Sequence, residues 1–296
     1  MIQTNGGSSG TGMGGALALE ESSWDETTSS PTVGFEMDTT LPMPGPPGSG
    51  DFSGNPILND WYDYDMETHT ASPKDMVFLI RTATGKYGKL KILDYADGKM
   101  ELQVAPVTRS PEVHSTSFEA SEDFAYLNFH AGALVAPEDP ANSAEWDLAV
   151  NGMQIQTNSG TSGPGMGGAL DPEKSTLEEV LSFPSTSGCY LISGGHVCDC
   201  AMSTEECDEN AGIWTDQCQC EAPYVIDEIL EGGESGNSLL TQWMEADSGA
   251  DEPVAKAMAY IVRSALGEAA KIQIKSYENG TLTIDWSYAG PGHTSF

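Results

Sequence analysis

Residues 1–17 read MIQTNGGSSGTGMGGAL and residues 154–170 read QIQTNSGTSGPGMGGAL. At an offset of 153, without a gap, the two stretches agree at 13 of 17 positions, far more than shared composition would give. The chain is a tandem repeat. Each copy keeps its glycines together with a methionine, Met13 or Met166, in the same register. Glycine reaches positive φ without strain, so such a run suits a chain that reverses sharply or lies against another backbone or a flat ligand. A flexible linker is also glycine-rich, but it has no reason to hold a methionine in place. A phosphate cradle does not fit, because neither a P-loop lysine nor an apolar helix follows the glycines.

A second block repeats at an offset of 182, pairing Trp61 with Trp243, Met76 with Met258, Arg81 with Arg263, Gly85 with Gly267, Lys89 with Lys271, Tyr95 with Tyr277 and Gly98 with Gly280. In the first copy an apolar run, Met76 to Ile80, precedes an alternating stretch, Lys89 to Ile92. An Asp97-Gly98 hairpin signal and a second alternating stretch, Met100 to Val104, follow. This is a three-stranded meander. The second copy turns at Asn279-Gly280 and places Leu282, Ile284 and Trp286 on one face. Ahead of the second glycine loop, Phe124 to Phe129 reads as a strand. Trp146, Leu148 and Val150 alternate along another that continues through Ile155.

With 33 Gly and 17 Pro in 296 residues the chain favours turns and short strands over helical bundles. The expected class is all-β: two tandem antiparallel β-sandwich-like domains with long Gly/Pro-rich loops. Repeat 1 spans 1–104, an aperiodic linker 105–120, and repeat 2 spans 121–290. Residues 42–50, PMPGPPGSG, read as surface loop or lid. The two offsets differ by 29, so repeat 2 carries an insertion of that net size between about Pro184 and Trp243, where a cysteine-rich stretch lies at about 185–222.

All six cysteines, Cys189, Cys198, Cys200, Cys207, Cys218 and Cys220, lie in that insertion. An even number in one compact stretch reads as a disulfide-stapled loop of an exported protein; a zinc or copper thiolate site with His196 is the alternative. Covalent c-type haem is excluded for want of CxxCH. No run of apolar residues is long enough to span a bilayer, and no apolar leader opens the chain, so export implies a leader already removed or missing. The net charge of −33 repels nucleic acid and anionic membranes.

The repeats differ at the front. Repeat 2 has about thirty residues before its glycine loop, while repeat 1 begins at the loop, so two strands of repeat 2 have no counterpart in repeat 1. Either the chain continues upstream in a longer precursor, or the open edge of repeat 1 is completed by strand addition, including self-association.

Trp146-Asp147-Leu148-Ala149 running into Ile155-Gln156-Thr157-Asn158, Trp61-Tyr62-x-Tyr64 followed by His69 and Pro73, and Gly85 to Tyr95 together resemble the HmuY-like haem-binding proteins, over the core of both repeats. The resemblance implies a hand-shaped all-β domain at the bacterial outer surface or outside the cell, holding haem non-covalently for an outer-membrane receptor. It also implies His or Met pairs as axial ligands. His69 is the haem-iron candidate by motif, with Met66, Met13 and Met166 beside it; an imidazole and a thioether both bind haem iron. Repeat 2 has Asp251 and Ser248 where repeat 1 has His69 and Met66, so haem binding is expected in repeat 1. No nucleophile-and-base pattern is present, and an enzyme is not expected. The competing reading is a structural surface or filament subunit built from the same domains and assembled by strand complementation.

Overall fold

The computed structural model describes residues 1–20, 22–43, 49–121, 123–183, 224–245 and 253–296, and the backbone alone of 189–192 and 195–198. The protein is all-β, in two compact units, Met1–Pro111 and Glu112–Phe296.

In the first unit a four-stranded antiparallel sheet runs in the order Gly15–Leu19, Val77–Arg81, Tyr87–Ala96, Lys99–Pro106. Val77, Phe78 and Leu79 are successive and all buried, so this strand is covered on both faces. On one face Ala16, Leu58, Trp61, Phe78 and Ile92 cluster; on the other, Phe35, Leu79 and Tyr87. The meander turns at Asp97-Gly98 with φ of 51° and 71°, as the hairpin signal requires.

The second unit repeats this sheet and adds to it. Its five strands run His114–Glu119, Thr281–Tyr288, Ala269–Glu278, Ala259–Arg263, Gly168–Lys174. A separate four-stranded sheet, in the order Ala133–Val135, Ala125–Asn128, Leu148–Asn151, Gln154–Thr157, supplies fully buried Leu127, Leu148, Val150 and Ile155. Leu177, Val180, Phe183 and Tyr224 cluster with Ala259 and Ile261 of the five-stranded sheet.

The glycine loops are explained by backbone packing. A Cβ on Gly14 would stand 1.7 Å from the Thr4 carbonyl oxygen, and one on Gly6 would stand 2.2 Å from that of Gly14. In the second copy, a Cβ on Gly160 would stand 2.0 Å from the Asp227 carbonyl oxygen. Met13 and Met166 hold register through main-chain bonds, their amides donating to Ala83 and Ala265 at 3.0 and 2.9 Å. Two cations are repeated with them. Arg81 donates to the Met13 carbonyl at 2.6 Å and lies over the Phe35 ring, as Arg263 lies over Tyr224. Lys271 donates to the carbonyls of Leu177 and Val180, and Lys89 to that of Trp24.

Three segments differ from the sequence expectation. Residues 105–120 are not an aperiodic linker: Thr108–Arg109 pairs with Ser29–Ser30, and His114–Glu119 forms an edge strand against Thr281–Tyr288. The latter alternates His114, Thr116 and Phe118 on one side, a pattern hidden because only one of the three is apolar. The strand expected to run from Trp146 through Ile155 is instead a hairpin, Leu148–Asn151 and Gln154–Thr157, reversing at Gly152 with φ of 57°.

The 29-residue insertion is in fact two changes of opposite sign. Asp38 binds the Thr4 amide and hydroxyl as Asp227 binds those of Thr157, at an offset of 189. Asn55 and Asn237, each donating to a carbonyl and accepting a main-chain amide, stand at 182. The segment between these anchors is thus seven residues longer in the first unit, and the insertion upstream of Asp227 is larger by the same seven. Cys200, Cys207, Cys218 and Cys220 lie outside the described residues. Cys189 and Cys198 are described in backbone only, facing each other across the hairpin Cys189–Ile192/Gly195–Cys198.

Candidate functional site

Three hairpins of the first unit converge on one cleft. The first, Thr39–Pro42 with Asp51–Gly54, springs from the anchors Asp38 and Asn55. Asn55 caps the short helix Pro56–Asn59 by accepting the Leu58 amide at 3.1 Å, which delivers the chain to Trp61. The second, Tyr62–Asp65 with Thr70–Pro73, follows directly. The third is the tip of Tyr87–Ala96/Lys99–Pro106, where Tyr95 pairs with Met100.

The cleft between them has a volume of about 720 Å³, and its walls include Trp61, Tyr62, Tyr64, Tyr95 and Phe52. Trp61 packs on Tyr62 and Tyr95 at centroid distances of 4.8 and 5.3 Å, the second edge-on. Met1, Met43 and Met100 are in the same lining. A cavity of this size, with five aromatic side chains and three thioethers in its lining, suits a flat apolar ligand with a soft or borderline metal.

The expected ligand residues are distributed unevenly. His69 and Met66 share the turn of the second hairpin, which Asp65 ties by accepting the Glu67 and Thr68 amides at 2.7 and 3.2 Å. Those bonds hold the Asp65 carboxyl below its ordinary pKa. His69 takes a left-handed φ of 53° and its Nδ1 meets the Tyr64 hydroxyl at 3.1 Å, so it stands one hydrogen bond away from a wall of the cleft. Met66 is 75% exposed on the same turn. Met13 is half-buried in the glycine loop and is not among the cleft's walls; Met166 belongs to the second unit and is 54% exposed. Met43 and Met100 were missed because Met43 sits in the stretch read as loop and Met100 in the alternating strand. The signal available was the repeat itself, in which Met100 becomes Leu282 while Tyr95 is kept as Tyr277. No group of three or more metal-binding carboxylates, histidines and cysteines occurs among the described residues.

The family model for HmuY protein matches the chain twice, over residues 1–106 and 120–288. The chain belongs to the HmuY family. Solved structures similar to it include the apo HmuY analog of Tannerella forsythia, at 16% identity and a TM-score of 0.37, covering 60% of this chain and 96% of that one. A Bacteroides vulgatus protein named as HmuY-like and heme-binding matches at 17% identity and a TM-score of 0.35, covering 60% and 91%. A Bacteroides fragilis protein named as a lipoprotein matches at 17% and 0.35, covering 60% and 89%. A search of curated proteins gave no match. Both HmuY matches include a glycine loop and a meander, and the cleft lies within the first.

Proposed function

We propose that the two HmuY matches are tandem domains of a non-enzymatic haem carrier, and that the first holds haem non-covalently in its three-hairpin cleft. The observation that carries this is the pairing of aromatic walls with the thioethers of Met43 and Met100 in one cavity of porphyrin scale. Aromatic rings cover the faces of a macrocycle, and thioether or imidazole ligates its iron. Met43 and Met100 stand in the lining; His69, with Met66 beside it, reaches the same cleft from the rim through Tyr64. Membership of the HmuY family and an acidic, cysteine-bearing sequence support a protein that works outside the cell or at its surface and passes haem to a receptor. No helix among the described residues is long and apolar enough to cross a membrane.

The test is an absorbance titration with ferric haem of the full chain and of Met43→Ala, Met100→Ala and His69→Ala. A saturable Soret shift at one haem per chain is expected, with affinity reduced about tenfold or more in each methionine variant. A changed ligand-field spectrum in His69→Ala would assign the histidine to iron, and an unchanged one would leave the iron to the thioethers. Absence of a saturable shift in the parent, or parent-like binding in all three variants, would overturn the proposal.

A further inference from the structure

The two units present the same sheet with and without a cover. In the second unit Leu282, Ile284 and Trp286 are at most 1% exposed: Phe129 packs on Trp286 at 5.4 Å, and the edge strand His114–Glu119 pairs alongside, setting Phe118 against Leu282, Thr116 against Ile284 and His114 against Trp286. Trp286 stacks on His114 at 4.6 Å and donates from Nε1 to the Thr116 hydroxyl at 3.0 Å. The equivalent residues of the first unit are Met100, Leu102 and Val104, on the last strand of its sheet. Leu102 is 47% exposed and Val104 67%. Among the described residues no strand pairs with the outer edge of Lys99–Pro106. An unpaired edge with an apolar stripe is a template for another strand.

We infer that Lys99–Val104 is an acceptor edge for an extended segment of a partner polypeptide, added antiparallel in the register that His114–Glu119 takes in the second unit. The register identifies the occupant's chemistry. It is a strand of about six residues whose alternate side chains are aromatic, apolar or hydroxylic, to meet Met100, Leu102 and Val104. Charge narrows it further: a net charge of −33 opposes a second copy of this chain, so the donor is neutral or basic. Of the three edge side chains only Met100 lines the cleft; Leu102 and Val104 are outside it, so a change at Val104 tests the edge apart from haem.

The experiment uses the full chain with a labelled peptide of residues 112–120, EVHSTSFEA, and a second peptide carrying Glu112→Lys and Glu119→Lys. Fluorescence anisotropy should give saturable binding, tighter for the lysine peptide at low salt, and amide exchange should slow over residues 99–104. Val104→Lys, at an exposed position, should weaken binding about tenfold or more while leaving the haem titration unchanged. A peptide with Thr116→Pro should not bind, because proline removes a ladder donor and cannot sit within a paired strand. No saturable binding by either peptide, parent-like binding to Val104→Lys, or protection outside residues 99–104 would overturn the inference. Protection of the same amides by dimerisation of the chain alone would overturn the commitment to a foreign donor.

Discussion

At the scale of single residues, the repeated glycines separate two demands that sequence presents alike. Gly14 and Gly98 are both preserved between repeats, as Gly167 and Gly280, but for different reasons. At Gly98 a Cβ would meet nothing within 4 Å and only the φ of 71° is at stake. At Gly14 a Cβ would overlap the main-chain carbonyl of Thr4, and that carbonyl belongs to a segment fixed by the Asp38 hydrogen bonds. Gly98→Ala should therefore cost about 1 kcal/mol, the left-handed penalty alone. Gly14→Ala should cost more than about 2 kcal/mol, because the two arms of the glycine loop must separate where Gly14 meets Thr4. Urea unfolding of the two variants compares them directly, and equal costs would mean that the glycine loop shifts freely. The backbone contact was legible as one of the options for such a run; which backbone it approached was not, since Thr4 and Asn5 lie within the same repeated stretch.

Elements were legible where local chemistry sets them. Asp97-Gly98 and Asn279-Gly280 mark their hairpins, and the alternating strands on either side pair as the periodicity requires. The hairpin of Leu148–Asn151 and Gln154–Thr157 turns instead at Gly152-Met153, with glycine first in the loop, and it was hidden because the flanking apolar alternation runs across it. His114–Glu119 was hidden because its inward side chains are mostly polar, their burial coming from Trp286, distant in sequence. The cleft was half legible: the motif found the hairpin with His69 and Tyr64, but Met43 reaches the lining through a hairpin that the proline-rich loop concealed. That hairpin is separable from the fold, because its anchors Asp38 and Asn55 recur as Asp227 and Asn237 around a shorter connection. Replacing residues 39–54 with the sequence of 228–236 should leave the first unit folded and lower haem affinity about tenfold or more, since Met43 and Phe52 leave the lining. Haem affinity equal to the parent's in a chain of unchanged circular dichroism would place the ligand elsewhere.

On the scale of the whole molecule, the two units answer pH in opposite senses although their frameworks repeat. In the second unit burial pushes the Asp147 carboxyl up to about 7, against the amides of Ala265 and Phe129 that favour its charge. It pushes Asp227 up to about 6, against bonds from Thr157 and Asn237. Both groups start from 3.8 in the unfolded chain, so the native state holds more protons between those values. Stability of the second unit is then greatest near pH 4 and falls as pH rises through about 6 and 7. In the first unit burial also raises the Asp38 carboxyl, but hydrogen bonds from Thr4, Ser9 and Asn55 outweigh it and the net pKa lies below 3.8. Its stabilising effect is complete above that value and is lost only in stronger acid. Between pH 5 and pH 8 the second unit should therefore lose stability by several kcal/mol, at about 1.4 kcal/mol per pKa unit, while Asp38 contributes no change. Working at about 0.5 M salt screens the repulsion among the surface carboxylates, which otherwise destabilises both units as pH rises, and leaves the buried groups in view. Native-state amide exchange reads the units separately: the strand Ala269–Glu278 should open more readily at pH 8 once intrinsic exchange is corrected, and Tyr87–Ala96 should not. Equal protection of Ala269–Glu278 at both pH values would mean that water reaches Asp147 and Asp227 and holds them ionised throughout.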